Sequence, residues 1–427
     1  MRDPMTASTP RRPGTSDESG PDPASAEADS TGLWAGLRSR WALAAASTLL
    51  YWFAAHSLRP LVTLRLDELG ASDAKTGLIV AAYSFVSLFV ALPAGRVVDR
   101  LGVFRVLGAS LVGMALIGIG YALATTPDHI FVLQVVNGVV ELFVWLALQA
   151  MVSHAGSGSF LTRQLSLFSL AWGIGIAAGP ILGAAVYARY GFAPLGGLYA
   201  GLSLLALVGL FVPSQGLRQH QSASADQRSS AATVRRITTR PAVKGVLLST
   251  FVALYVNSIK MSFYPLFLER AGVSVPRIGV LLSVIGVASL AVRVLLPAAL
   301  RRWDPGRVLV WSMWASVVPI TLTPWLGAYW ALAVAAALIG LGYGVNPPVT
   351  VQLMALHTEP AERGLAMGLR VTSNRLAQVA QPLVFGALIS TVGMAMAFPA
   401  SGVLLGGLTL WAGSEASRMS LPAVEPP

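Results

Sequence analysis

Apolar stretches of about 20 residues recur along the chain, long enough to cross ~30 Å of hydrocarbon as helices and too long for barrel strands. That recurrence restricts the fold class before any single residue is considered. Of 427 residues, 55% are apolar and 11% are charged, with a mean hydropathy of +0.66, whereas an average soluble domain carries roughly 25% charge. A soluble core and an outer-membrane barrel are both disfavoured, and the expectation is an all-α integral membrane protein. The chain has no cysteine and five histidines. Disulfides, thiolate metal sites, iron–sulfur clusters and cysteine nucleophiles are therefore excluded, and no metal or cofactor is expected.

Twelve helical spans are predicted, at 41–66, 73–95, 104–125, 128–152, 163–189, 192–212, 244–268, 275–297, 307–326, 329–352, 364–390 and 393–413. Residues 1–35, rich in Pro, Ser, Asp, Glu and Gly, read as a disordered cytoplasmic tail without the apolar core of a secretory signal. A six-helix bundle is expected over 36–212, a polar linker over 213–243, a second six-helix bundle over 244–413 and a short cytoplasmic tail over 414–427. The formal charge of +11 would point to nucleic acid in a soluble protein, but the basic residues sit at span ends and none is interleaved with aromatics. With the N-terminus inside, seventeen Lys and Arg beyond residue 35 fall in cytoplasmic segments. Only Arg65, Lys75, Arg189, Arg270 and Arg277 fall outside. That asymmetry orients both termini and the linker to the cytoplasm, in a multi-pass protein of the cytoplasmic membrane.

The halves repeat. Gly70-Ala-Ser72 with Gly77 returns 202 residues later as Gly272-Val-Ser274 with Gly279, Leu92-Pro93-Ala94 returns as Leu296-Pro297-Ala298, and Pro180 returns as Pro382. The near-constant offset identifies two pseudo-symmetric bundles made by duplication of one six-helix unit.

After the second span comes Gly95-Arg-Val-Val-Asp99-Arg100-Leu-Gly102-Val-Phe-Arg105, read as a short cytoplasmic turn. It resembles the loop signature of the major facilitator superfamily, a glycine, three residues, Asp, a base, any residue, glycine and two bases. Val103 and Phe104 stand where the basic pair belongs and Arg105 follows one position late. The second-half counterpart keeps Gly306 but has Trp303 in place of the acid. The resemblance implies that Asp99 faces the start of the eleventh helix, near Arg363, and latches the cytoplasmic side. In the fifth span, Gly175, Gly179, Pro180 and Gly183 are similar to the superfamily's antiporter motif, which implies export, with these residues as a packing seam. By span count, linker and duplication the resemblance covers residues 41–413. The drug exporters most similar in motif place an Arg four residues before a glycine in the fourth helix, where this chain has Gln134 before Gly138.

Six charged residues fall inside predicted spans: Arg59, Glu141, Lys260, Arg293, Arg370 and Arg375. Each would cost about 2.5–3.5 kcal/mol in lipid, so they line a cavity or pair. Arg293, near the inner end of its span, is read as snorkelling, and Arg375, about 100° round its helix from Asn374, as bonding another helix. Asn137, Glu141, Trp145 and Gln149 are spaced by four and share one stripe. The superfamily's cavity is lined by the first, fourth, seventh and tenth helices. On this resemblance His56, Arg59, Asn137, Trp145, Asn257, Lys260, Tyr343 and Asn346 become candidate substrate-binding residues, joined by Arg370, Asn374 and Gln378 of the eleventh span. Glu141 is the one mid-membrane carboxyl available for proton coupling, with His56 as a second carrier. The competing reading of Glu141 is a structural ion pair with Arg59, Lys260 or Arg370.

The interior's excess of bases over acids predicts a cavity that attracts anions. The expected function is a proton-coupled exporter of a small, anionic organic compound by alternating access, working as a monomer in lipid without nucleic-acid partners. The alternatives are proton-linked uptake of an organic anion and a non-transporting membrane sensor. No enzyme is expected, because no Ser-His-acid set, metal-ligand pair or phosphate loop is present in the sequence.

Overall fold

The computed structural model describes residues 40–153, 158–210, 231–359 and 362–416, and all regular structure among them is helical. The predicted tail 1–35 and much of the linker lie outside the described residues. The first half runs through α1 (Arg40–Leu58), α2 (Val62–Glu68), α3 (Asp73–Leu101), α4 (Val103–Leu123), α5 (Pro127–Ser153), α6 (Gly158–Tyr190) and α7 (Phe192–Val208). A short helix, α8 (Ala231–Thr239), leads into α9 (Pro241–Met261), α10 (Phe263–Arg270), α11 (Val275–Arg302), α12 (Pro305–Leu322), α13 (Tyr329–His357), α14 (Arg363–Val392) and α15 (Met394–Ala416). The pairs α1–α2 and α9–α10 each make one broken span. With these pairs counted as one each and α8 set aside, the described residues hold twelve span-like elements, in which ten helices are long and apolar enough to cross a membrane and α7 is a shorter apolar helix.

Local chemistry explains where the structure departs from the periodicity. The first span breaks at a 3-10 turn, Arg59–Leu61, because Pro60 has no N–H to give to the turn before it. The seventh breaks at Ser262 (φ −129°, ψ −85°), where Pro265 cannot donate to the carbonyl of Met261. The segment read as a loop after the second span is helical up to Leu101. The turn shrinks to Gly102, whose φ of +88° favours glycine.

Small residues set the helix crossings, and they do so twice. A Cβ on Gly77 of α3 would lie 2.5 Å from the carbonyl oxygen of Pro382, and one on Gly279 of α11 would lie 2.8 Å from that of Pro180. Those two contacts join the bundles, α3 to α14 and α11 to α6, in the same 202-residue register. Gly175, Gly179 and Gly183 instead face α1 within their own bundle, where added Cβ atoms would approach Trp52, His56 and Ser57 to within 2.0–2.9 Å. The antiporter-like motif therefore seats the helix that carries His56 and Arg59.

The bundles are joined by charge on the hairpin side, the face opposite the linker. There Arg270 pairs with Asp67 at 2.5 Å and Asp73 at 2.9 Å. On the linker side Asp99, Arg100 and Arg363 are exposed, and no hydrogen bond or ion pair joins Asp99 to α14 among the described residues. The expected latch is unmade among the described residues.

Helix α8 is amphipathic. Its Ile237 is fully buried against Val243, Val246 and Leu353, while Arg236 and Arg240 reach Glu362 at 2.5 and 2.7 Å. Burial raises the Glu362 pKa, but the hydrogen bond from Arg240 and the charges of Arg240 and Arg236 outweigh it, and the carboxyl sits below its ordinary 4.5. A depressed folded-state pKa means that the clamp contributes fully above about pH 4.5 and is lost as pH falls through the lower folded value. Amide exchange of residues 231–239, corrected for intrinsic rate, is expected to be slow at pH 5–8 and to accelerate below pH 4. In Glu362→Gln it is expected to be fast throughout. Equal protection in the variant would show that Ile237 holds α8 unaided.

Candidate functional site

Between the bundles lies a cavity of about 270 Å³. One helix of each broken span brings a cation to it, because the breaks fall at Arg59 and beside Lys260. Of the sequence-predicted residues, His56, Arg59, Glu141, Trp145, Asn257, Lys260, Tyr343, Asn346, Arg370, Asn374 and Gln378 all line it. Asn137 does not. It stands behind the wall, donating from Nδ2 to Glu141 Oε1 at 3.0 Å and accepting from Tyr199 at 2.8 Å.

Glu141 is buried, and both of its oxygens are fully engaged. Oε2 accepts from Arg59 at 3.0 Å and from Tyr83 at 2.7 Å, while Oε1 accepts from Asn137 and Tyr199 at 3.0 Å each. Four side-chain donors converge on this one carboxylate, with Tyr199 sharing its hydroxyl proton between Glu141 and Asn137. Its partner among the three sequence candidates is Arg59, whose guanidinium also lies 3.9 Å from the Tyr83 ring centroid. His56 Nδ1 donates to the Trp52 carbonyl at 3.1 Å, which leaves Nε2 as the other ring nitrogen.

The remaining cations are unmatched. Lys260 is buried and has no hydrogen bond or carboxylate partner among the described residues; its Nζ lies 5.5 Å from the Tyr343 ring centroid. Arg370 has a buried Nε with no acceptor. Arg375 lines this cavity as well, against the expectation that it would bond another helix. Arg293, read as snorkelling, has its guanidinium 4.7 Å from the ring centroid of Trp172 on the facing bundle, a cation–π contact that joins the bundles.

Some predicted residues serve the walls. Asn346 donates to the Ser249 hydroxyl at 2.7 Å, tying α13 to α9. Gln378 donates to Asn374 one turn away and accepts from Ser84 of the other bundle at 3.4 Å. Sequence reasoning missed Tyr51, Trp52, Tyr83 and Trp172 in the lining. An aromatic residue in an apolar helix carries no sign of facing a cavity, although Trp52 lies one turn before His56 and that spacing was available.

A family model described as Major Facilitator Superfamily matches residues 44–311 and 246–421. A tetracycline resistance protein, class H, of Pasteurella multocida is 22% identical over 320 residues, 74% of this chain and 79% of that protein. Quinolone resistance protein NorA of Staphylococcus aureus is 19% identical over 356 residues, covering 82% of this chain and 90% of that one. Among solved structures, nucleoside transporter NupG superposes with a TM-score of 0.73 at 15% identity, covering 89% of this chain and 98% of that one.

Proposed function

The chain belongs to the major facilitator superfamily of transporters, and from that premise we propose that it exports a small organic anion across the cytoplasmic membrane by alternating access, coupled to proton entry through Glu141. One observation carries the reading. Arg59, Lys260, Arg370 and Arg375 line the cavity between the bundles, against the single carboxylate of Glu141. A low-dielectric cleft with that surplus concentrates anions. The similarity to resistance proteins for tetracycline and quinolone supports export, as does the antiporter-like motif in the fifth span. The excess of Lys and Arg on the linker side orients that side to the cytoplasm.

Coupling follows from the hydrogen-bond geometry. A proton on Glu141 Oε2 removes the acceptor of Arg59 and Tyr83, so proton binding and the Arg59 pair are linked at one atom, and exchange requires that substrate and proton occupy the site in alternate steps. One outgoing monoanion exchanged for one incoming proton moves net charge and is electrogenic. The working unit is a monomer, its partners being the substrate, protons and lipid.

Solid-supported-membrane currents from purified protein in liposomes, challenged with organic anions and cations under imposed pH gradients, test this directly. Anions are expected to give a pH-dependent current that Glu141→Gln abolishes. Currents with cations alone would remove the anion claim. An undiminished current in the variant would make Glu141 structural.

A further inference from the structure

The duplication lets the two halves of the cavity be compared residue by residue. A Cβ on Gly138 would strike the carbonyl oxygen of Tyr83, and one on Gly340, 202 positions later, would strike that of Ile285, itself 202 positions after Tyr83. The fourth and tenth spans are thus in register in space. In that register Glu141 corresponds to Tyr343. Arg59 and Lys260, 201 positions apart, stand at the equivalent breaks of the first and seventh spans.

In the first half the cation meets a carboxylate, Arg59 to Glu141 at 3.0 Å. In the second it meets a ring, with Lys260 Nζ 5.5 Å from the Tyr343 centroid. The second half has the charge without the counter-ion. A buried ammonium without an anion is unfavourable, and both Lys260 and the under-satisfied Arg370 open onto the cavity. Across the cavity, Trp52, Trp145 and Trp172 cluster with ring centroids 5.4–6.3 Å apart, and the indole N–H groups of Trp52 and Trp172 have no acceptor.

We propose that the substrate is an aromatic acid whose anionic group binds at Lys260, supplying the counter-ion that Glu141 provides to Arg59, with Arg370 as second cation. Its ring lies against the tryptophan cluster of the opposite bundle. The ligand therefore bridges the bundles, charge on one and ring on the other. This assignment rests on the anion-transport reading above, and it adds the atom that receives the anion and the aromatic body.

Calorimetric titration of the purified full chain with 2-naphthoate, its neutral amide 2-naphthamide, and cyclohexanecarboxylate tests it. Wild type is expected to bind 2-naphthoate at least about tenfold more tightly than either comparison compound, the size of one charge-assisted contact. Tyr343→Glu, which restores the missing carboxylate, is expected to erase the preference for acid over amide. Lys260→Met is expected to erase it too, and decides the matter if Tyr343→Glu does not fold. Tyr343→Phe is expected to keep it. Equal affinity for acid and amide in wild type, no binding of 2-naphthoate, or a preference that survives in Lys260→Met would overturn the assignment. Binding needs neither a gradient nor turnover, so selective binding without current would sink the transport reading alone. Anion currents insensitive to Lys260→Met would sink this one alone.

Discussion

Glu141→Ala is expected to destabilise the purified protein by about 3 kcal/mol, the low end of the range for removing one partner of a buried pair. The low end applies because the Arg59 side chain is 24% exposed, and water in the cavity can partly solvate it. The variant strands three donors at once, Arg59, Tyr83 and Asn137, while Tyr199 keeps its bond to the Asn137 oxygen. Asn137 is buried, so its unmade bond adds to the loss. Arg59→Leu alone should cost less, since Glu141 keeps three donors. In the double variant Arg59→Leu/Glu141→Leu no charge is left without its partner, so part of the lost stability should return although Tyr83 and Asn137 still lack their acceptor. Unfolding midpoints followed by tryptophan fluorescence, completing the double-mutant cycle, read this out. Additive losses in the double variant would contradict the pairing.

The second large effect is steric. A methyl group at Gly138 would sit 1.9 Å from the backbone carbonyl oxygen of Tyr83 and 3.1 Å from Ser87 Oγ, where the Ser87 hydroxyl already donates to the Gly138 carbonyl at 2.7 Å. Backbone cannot yield as a side-chain tip does, so α5 and α3 must part. The loss is expected to reach or exceed about 3 kcal/mol, the upper end of overpacking costs, and Gly138→Ala should lose most of its monodisperse yield on gel filtration. Gly340→Ala should do the same to the second bundle, where Ile285 presents its carbonyl oxygen at 2.3 Å. Gly95→Ala is the contrast. No atom lies within 4 Å of its Cβ position, and the residue is inside α3, so alanine should be neutral or stabilising by up to about 1 kcal/mol. A collapse of Gly95→Ala together with an intact Gly138→Ala would reverse this account of where glycine is needed.

These contrasts separate two kinds of glycine in the loop motif that looked alike in sequence. Gly102 is held by its positive φ, whereas Gly95 meets no steric demand from a neighbouring element. Asp99, which the motif casts as a latch, is exposed here.

The chain's repetition of apolar length determined by itself that it crosses the membrane as helices. Its charge asymmetry implied an orientation, and a 202-residue offset implied two bundles. Each of these signals is additive over many residues, which is why sequence suffices for them. The site was legible to the extent that charge in hydrocarbon must have a reason, and that argument found Arg59, Glu141, Lys260 and Arg370. Tertiary structure alone decided the pairing. Arg59, Lys260 and Arg370 were equal claimants to Glu141 in sequence, and the break at Pro60 placed Arg59 against it. The same holds for Arg293, whose depth along its helix pointed to the head groups and whose contact with a tryptophan on the facing bundle only the tertiary structure shows. Pairing depends on distances between helices remote in sequence, and no periodicity along one helix carries that information.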